Sequence, residues 1–144
     1  MSHQPIILLA EDDDNDVFFM RRALNKAQVE LPLHVVHHGK EALDYLNGNG
    51  PFADRAAHPL PSLILLDLKM PFFDGFEVLE RIRSNASLRD IPVCVLTSSN
   101  EERDRHRAME LGAKGYFVKP PTVNMIHEML AVAHGQHQAA VISA

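Results

Sequence analysis

Five short runs of apolar residues, rich in leucine and β-branched side chains, alternate along the chain with longer segments of mixed polarity. The runs are Ile6 to Ala10, Leu33 to Val36, Leu63 to Leu66, Val93 to Leu96 and Tyr116 to Val118. Runs of this length are typical of buried strands, and strands that are apolar on both faces form parallel sheets covered by helices on each side. The pattern therefore predicts an α/β fold with five parallel strands joined by right-handed helical crossovers.

The segments between these runs carry apolar residues three or four positions apart, which indicates helices with one buried face. This spacing is clearest in the first segment, at Val17, Met20, Leu24 and Ala27, and in the last, at Met125, Ile126, Met129, Leu130 and Ala133. Shorter helices are predicted from about Lys40 to Leu46 and from about Phe76 to Arg83. The segment from Asn100 to Gly112 is mostly charged, which indicates either a weakly held, movable helix or an ordinary helix with a solvated face.

Composition narrows the class of protein. The net charge of −5, without a cluster of Lys and Arg, argues against a surface for nucleic acid or anionic membranes. The single cysteine, Cys94, excludes a disulfide framework, and no apolar stretch approaches the roughly 20 residues of a membrane span. We therefore expect a cytoplasmic domain. Within it, the Gly- and Pro-rich segment from Asn47 to Pro61 is predicted to be a long loop, of a kind that is often functional or mobile.

Polar residues follow four of the five predicted strands, at the point where each strand ends. Glu11 and Asp12 follow the first, Asp67 the third, Thr97 the fourth and Lys119 the fifth. In open parallel sheets the carboxyl ends of the strands share one edge, and a strand order of 2-1-3-4-5 places the first and third strands side by side. We therefore expect Glu11, Asp12 and Asp67 to converge.

Three neighbouring carboxylates repel one another unless a cation is present, and hard oxygen ligands of this kind suit Mg²⁺. Asp67 is the best candidate for a nucleophile because it ends a rigid, buried strand, and its carboxylate can form an acyl phosphate. Lys119 supplies an opposing ammonium group and Thr97 a hydroxyl, which phosphoryl transfer needs for positioning and charge neutralisation. The residues alone thus predict a magnesium-dependent phosphoryl-transfer site.

Each of these residues also has a purely structural explanation. Asp13, Asp14 and Asp16 stand where acidic side chains cap a helix and interact favourably with its dipole, and this role is expected for them. A lone Asp, Thr or Lys at a strand end is more often structural than functional. Only the joint placement of these side chains at one sheet edge favours a functional site.

The order and spacing of these residues closely resemble the receiver domain of two-component response regulators, from about Ile6 to Ala133. The resemblance rests on Ile7-Leu8-Leu9-Ala10-Glu11-Asp12, Leu65-Leu66-Asp67-Leu68-Lys69-Met70-Pro71 with Asp74-Gly75, Leu96-Thr97-Ser98-Ser99, Gly112-Ala113, and Gly115-Tyr116-Phe117-Val118-Lys119-Pro120. It implies a flavodoxin-like, doubly wound (βα)5 fold. It also implies a receiver domain at residues 5–134 and a short tail at 135–144, with no output domain.

By that resemblance, Asp67 accepts the phosphoryl group, Glu11 and Asp12 hold Mg²⁺, and the backbone carbonyl of Lys69 supplies a further ligand. Thr97 and Lys119 bind the phosphoryl group. The resemblance further implies that Tyr116 rotates when the threonine moves, that the bond between Lys119 and Pro120 is cis, and that Asp74-Gly75 closes the turn after the third strand. Lys69 and Ser99 occupy positions that tune the lifetime of the aspartyl phosphate.

The long loop, the glutamate in the acidic pair and the lack of an output domain resemble small single-domain regulators paired with phytochrome-type histidine kinases. The expected function is therefore a signalling domain that takes a phosphoryl group from a sensor histidine kinase, with a bacteriophytochrome as the candidate partner. Such a domain catalyses only its own phosphorylation and dephosphorylation. A homodimer is expected, since a stand-alone receiver must signal through some surface.

Two other functions compete with this hypothesis. A Mg²⁺-dependent phosphohydrolase also uses an aspartyl phosphate, but such enzymes place a second acidic residue two positions after the nucleophile, where this chain has Lys69. A receiver fold that serves as a constitutive interaction module has no need of Asp67 or Lys119, and both are present.

Overall fold

The computed structural model describes residues 5–135 as five parallel strands that alternate with five α-helices. The strands form one sheet in the order β2-β1-β3-β4-β5. This architecture confirms the predicted fold class and strand order. The strand bounds are Ile7–Ala10 for β1, Leu33–Val36 for β2, Leu63–Leu66 for β3, Val93–Thr97 for β4 and Gly115–Val118 for β5.

The predicted strand bounds are correct within one residue. β4 runs one residue further than its apolar pattern, because Thr97 still pairs with Val118 of β5. β5 likewise begins one residue earlier, at Gly115, which pairs with Cys94. Polar or small residues extend these strands because the pairing of neighbouring backbones, not side-chain hydrophobicity, decides where a strand ends.

The helices cover both faces of the sheet, and the apolar periodicity identifies their buried sides. On one face α1 and α5 pack over the sheet through Met20, Leu24, Ile126 and Met129. On the other face α2, α3 and α4 pack through Leu43, Leu46, Leu79, Ile82 and Ala108. The helix bounds are Asp14–Lys26 for α1, Gly39–Asn47 for α2, Gly75–Arg83 for α3, Glu102–Glu110 for α4 and Val123–Ala133 for α5.

The charged helix α4 differs from the others in how little of it is buried. Within α4 the one buried residue is Ala108, whereas α3, of the same length, buries Gly75, Val78, Leu79 and Ile82. Burial of apolar side chains supplies most of the free energy that holds a helix in place. The structure therefore supports the weakly held helix that the charge pattern indicated.

The predicted long loop, residues 47–61, is held in place by a single arginine. The Arg55 guanidinium donates hydrogen bonds to the carbonyl oxygens of Tyr45 at 2.7 Å, Leu46 at 2.7 Å and His58 at 3.0 Å. Tyr45 and Leu46 lie in the last turn of α2, where carbonyl groups lack the usual helical partner; that of Tyr45 also accepts the N–H of Gly48 at 3.1 Å. Arg55 thus caps α2 and anchors the loop at once, and a short 3₁₀ helix at Gly50–Phe52 orders the segment between them.

The predictions for the cysteine, for membrane-spanning segments and for the C-terminal tail can also be compared with the structure. Cys94 is buried in β4, and burial raises the pKa of its thiol to about 12, so the thiol stays protonated at neutral pH. None of the helices in residues 5–135 is long and apolar enough to cross a membrane. Apart from Gly135, the predicted tail lies outside the described residues.

We predict that Arg55→Ala lowers the free energy of unfolding by about 2–3 kcal/mol, because it removes several charged hydrogen bonds, among them the one that the carbonyl oxygen of Leu46 accepts. Urea denaturation measures this change. Arg89→Ala serves as the control, because Arg89 is exposed, and we expect a change within about 0.5 kcal/mol. Equal stability of the two variants would show that Arg55 does not anchor the loop.

Candidate functional site

The acidic residues that follow β1 and β3 meet at one edge of the sheet. One carboxylate oxygen from each of Glu11, Asp12 and Asp67 lies within 4.8 Å of the other two. The strand register explains this convergence, because Ala10 pairs with Leu66 and the next residue of each strand leaves the sheet beside the other. Glu11 and Asp67 are buried, whereas Asp12 is exposed.

Lys119, which follows β5, brings a positive charge into this acidic cluster. Its Nζ lies 2.7 Å from a carboxylate oxygen of Glu11, of Asp16 and of Asp67. Burial by itself lowers the pKa of Lys119, but hydrogen bonds to Asp16, Asp67 and Glu11 outweigh it and raise the pKa above its ordinary value. The ammonium group is therefore charged at every physiological pH. The peptide bond between Lys119 and Pro120 is cis, as the resemblance implies.

The carboxyl of Glu11 is subject to opposing influences. Burial raises its pKa above the ordinary value, the hydrogen bond from Lys119 lowers it, and the charge of Asp67 raises it again. The second oxygen of Glu11 accepts a hydrogen bond from the backbone N–H of Asp13 at 3.1 Å. Both oxygens of this buried carboxylate are thus held in fixed positions at the end of β1.

Asp16 is the site residue that the sequence analysis missed. Its carboxylate is bonded to Lys119, whereas the helix-capping role expected for it belongs to Asp13, which accepts a hydrogen bond from the N–H of Asn15 at 2.8 Å. Asp16 lies in the first turn of a helix that begins beside the acidic pair. That position was the available signal, because a side chain in the first turn lies close to the strand end that precedes the helix.

Thr97 and Ser99 connect the end of β4 to the start of α4. Thr97 is buried, and its hydroxyl is the acceptor for the N–H of Ser99 at 3.5 Å. The Ser99 hydroxyl donates to Asp104 at 2.6 Å and accepts from the N–H of Glu101 at 3.3 Å. Because Glu101 caps α4 without a side-chain hydrogen bond of its own, Ser99 takes over that role.

Tyr116 on β5 contacts the same connection. Its hydroxyl donates to the carbonyl oxygen of Ser99 at 2.9 Å, and the ring is partly buried. Burial raises the pKa of Tyr116, so the phenol remains a hydrogen-bond donor at neutral pH. Thr97, Ser99 and Tyr116 therefore form one continuous link between the sheet edge and the weakly held helix α4.

The turn after β3 fixes the backbone of Asp67. The N–H of Gly75 donates to the carbonyl oxygen of Leu68 at 2.9 Å, and a Cβ at Gly75 would lie 2.5 Å from the carbonyl oxygen of Asp67. Only glycine permits this approach. Asp74 caps α3 through the N–H of Glu77, and the N–H of Lys69 lies 3.3 Å from the Asp67 carboxylate. Asp74-Gly75 thus closes the turn as the resemblance implies.

The donor set fits a divalent metal ion. Glu11, Asp12, Asp16 and Asp67 place four carboxylates around one ammonium group, so the cluster lacks positive charge. Three of these carboxylates have oxygens close enough together to share one ion. Hard carboxylate oxygens of this kind are ligands for Mg²⁺ and for Mn²⁺.

The family model of the response regulator receiver domain matches residues 7–131. The chain belongs to the response regulator receiver domain family. The match runs from the start of β1 into α5 and so includes every strand of the sheet. It confirms the family that the sequence motifs indicated. This receiver family is not a recognised family of catalytic enzymes, which argues against the phosphohydrolase hypothesis.

Several relatives of this receiver domain match over most of their own length. Response regulator Rcp1 from Synechocystis sp. is 34% identical over 125 residues, which cover 87% of this chain and 83% of Rcp1. The structure of Mn²⁺-bound Rcp1 has a TM-score of 0.73 to this receiver domain at 33% identity, covering 91% of this chain and 90% of that chain. A relative of this receiver domain therefore binds a divalent metal ion.

Solved structures of phytochrome response regulators are also similar. The bacteriophytochrome response regulator AtBRR is 39% identical with a TM-score of 0.82, covering 96% of this chain and 95% of AtBRR. The phosphorylated cyanobacterial phytochrome response regulator RcpA is 32% identical with a TM-score of 0.75, covering 99% and 97%. These structures confirm the predicted resemblance to small regulators of phytochrome-type signalling.

We predict that Ser99→Ala loosens the first turn of α4, because the substitution removes a hydrogen bond to a carboxylate that is worth roughly 1.5–3 kcal/mol. Hydrogen exchange of the amides in α4 should become about tenfold faster or more. Ser98→Ala is the matched control, since Ser98 is the exposed neighbour, and its α4 amides should exchange at the native rate. Unchanged exchange in the Ser99 variant would refute the link.

Proposed function

We propose that this receiver domain accepts a phosphoryl group on Asp67 from the phosphohistidine of a sensor histidine kinase. The observation that carries this proposal is that the Asp67 carboxylate lies 2.7 Å from the ammonium nitrogen of Lys119 and within 4.8 Å of carboxylate oxygens of Glu11 and Asp12. A buried nucleophile beside both a cation and candidate metal ligands is suited to phosphoryl transfer.

In the proposed reaction, an Asp67 carboxylate oxygen attacks the phosphorus atom and the bond from phosphorus to the histidine nitrogen breaks. The products are an aspartyl phosphate and a neutral histidine. Lys119 stabilises the negative charge on the phosphoryl oxygens, and the hydroxyl of Thr97 donates a hydrogen bond to one of them. The domain in this way catalyses its own phosphorylation. In dephosphorylation, water attacks the same phosphorus atom, the bond from phosphorus to the Asp67 oxygen breaks, and inorganic phosphate and the free carboxylate are the products.

Mg²⁺ is the proposed cofactor, held by the carboxylates of Glu11, Asp12 and Asp67 together with the backbone carbonyl of Lys69. When bound, the ion neutralises charge that develops on the phosphoryl oxygens. The acidic cluster supports this assignment, and so does the Mn²⁺ ion bound by Rcp1. The N–H of Lys69 lies beside the Asp67 carboxylate, so the backbone of Lys69 is at the cluster.

The output of phosphorylation is proposed to be a changed surface around α4. Thr97 is pulled toward the phosphoryl group, and Tyr116 and Ser99 pass this movement on because both are bonded to the same backbone segment. α4 has little buried apolar surface to resist the movement. Ser99 contacts Asp104 on α4, so its hydroxyl affects the switch as well as the lifetime of the phosphoryl group.

A bacteriophytochrome is the proposed kinase, since AtBRR is a bacteriophytochrome response regulator and RcpA a phytochrome response regulator. Phosphotransfer of this kind takes place in the cytoplasm. The net charge of −5 gives no support to nucleic acid as a partner. We further propose that the domain works as a homodimer, in which phosphorylation changes how two copies associate.

We predict that Asp67→Asn abolishes labelling by acetyl phosphate and Mg²⁺, because the amide cannot act as the nucleophile. Incorporation of phosphorus is measured by intact-protein mass spectrometry, and the label should be released by hydroxylamine. Asp90→Asn is the control, because Asp90 is an exposed aspartate away from the acidic cluster, and it should be labelled like the native protein. A label that persists in the Asp67 variant would contradict the proposal, and rapid repeated turnover of phosphate esters would favour a hydrolase.

We predict that Asp12→Asn weakens Mg²⁺ binding by about tenfold or more, because it removes one of three clustered carboxylates. Isothermal titration calorimetry measures the affinity, and the rise of Tm with Mg²⁺ gives a second readout. Asp12 is exposed, so the substitution should leave the fold intact. If Asp12→Asn binds Mg²⁺ with native affinity, Asp12 is not a ligand of the metal ion.

A further inference from the structure

The three carboxylates that bind Lys119 are not equivalent. Glu11 and Asp67 belong to the acidic cluster that is suited to a divalent metal ion, but Asp16 does not. All three oxygens lie at the same distance of 2.7 Å from the ammonium nitrogen. Within residues 5–135, Asp16 is therefore the one partner of Lys119 that is still available when Glu11 and Asp67 bind a metal ion or a phosphoryl group.

A metal ion and the ammonium group compete for the same two carboxylates, those of Glu11 and Asp67. Lys119 donates to oxygens of Glu11 and Asp67, and a cation in the cluster would draw on these two carboxylates and repel the ammonium group. Formation of an aspartyl phosphate removes the negative charge of Asp67 itself. Lys119 is then held less firmly by Glu11 and Asp67 at the stage when its ammonium group has to be in place for the phosphoryl oxygens.

Asp16 is placed to keep the ammonium group there. It lies in the first turn of α1, whose start is fixed by the cap at Asp13, so its carboxylate is held on a rigid element. The side chain of Asp16 is 29% exposed, whereas that of Lys119 is 12% exposed. Asp16 is therefore more accessible to solvent than Lys119, and its contact with the largely buried ammonium group costs less desolvation than a fully buried pair would.

We propose that Asp16 is a positioning residue that holds the Lys119 ammonium group beside Asp67 when a divalent metal ion or a phosphoryl group engages the other two carboxylates. This inference rests on the proposed function of Asp67. Without Asp16, Lys119 donates only to Glu11 and Asp67, so it competes more strongly with the metal ion and is less well placed for the phosphoryl group. We therefore expect loss of Asp16 to lower both the affinity for the metal ion and the rate of phosphorylation.

The simplest competing explanation is that Asp16 only adds negative charge to the N-terminus of α1. Asp14 tests this explanation, because it is an acidic residue of the same first turn and is exposed. Asp14→Asn removes the same charge as Asp16→Asn without removing a hydrogen bond to Lys119. A difference between the two variants therefore measures the contact, not the charge of the helix end.

The experiment is a double-mutant cycle between Asp16 and Lys119, with Mg²⁺ affinity measured by calorimetry. We expect Asp16→Asn to weaken Mg²⁺ binding about tenfold more than Asp14→Asn, and Asp16→Glu to recover most of the loss. In a Lys119→Met background the two Asn variants should become equal, because there is no ammonium group to position. The inference is overturned if Asp16→Asn and Asp14→Asn weaken Mg²⁺ binding equally when Lys119 is present. It is also overturned if the full difference between them persists in the Lys119→Met background.

Labelling by acetyl phosphate separates this inference from the proposed function. Native protein that takes up no phosphorus on Asp67 would refute the proposed function. The positioning role is supported if Asp14→Asn is labelled at the native rate and Asp16→Asn is labelled about tenfold more slowly. Labelling of Asp16→Asn at the Asp14→Asn rate would overturn the positioning role and leave the proposed function intact.

Discussion

One ammonium group, shared among three carboxylates, holds together the edge of the sheet at which β1, β3 and β5 end. Lys119 bonds to residues from three separate parts of the chain, Glu11 after β1, Asp16 in α1 and Asp67 after β3. Four carboxylates in so small a volume would otherwise repel one another strongly, since two of them are buried. The charge that makes this edge stable is the same charge that a phosphoryl group requires.

The strands that lead to this site are rigidly packed, whereas helix α4 is weakly held. β1, β3 and β4 are buried along their whole lengths, and the close approach of Gly75 to the backbone of Asp67 fixes the turn that follows β3. α4, in contrast, buries only Ala108, and its other contacts are polar or exposed ones, such as those of Ser99 with Asp104 and of Arg83 with the carbonyl oxygen of Glu110. In the switch that we propose, a change at the rigid edge is passed to α4 because this helix resists movement least.

In the loop between α2 and β3, a charged side chain orders the backbone and takes no part in the acidic cluster. Arg55 donates to carbonyl groups at the end of α2 and within the loop itself, and Phe52 packs against the core and the Tyr45 ring, so a segment without apolar periodicity is still ordered. Tyr45 adds to this arrangement from the helix side, because its hydroxyl donates to the carbonyl oxygen of Pro59 at 2.9 Å. The long loop has a structural role at the sheet edge formed by β2, away from the acidic cluster.

The sequence by itself determined the strands, their order and the meeting of Glu11, Asp12 and Asp67. The strands follow from local apolar runs, and the order follows from the flavodoxin-like fold that the resemblance to receiver domains implies. With that order, the rule that parallel strands end at one edge brings the three carboxylates together. The tertiary structure alone decided that Asp16 binds Lys119, that Arg55 closes the loop and that Ser99 points to Asp104. The contact between Asp16 and Lys119 joins residues 103 positions apart. No local pattern distinguishes Asp16 from Asp14, because only the folded position of α1 relative to Lys119, which follows β5, brings one of them to the ammonium group.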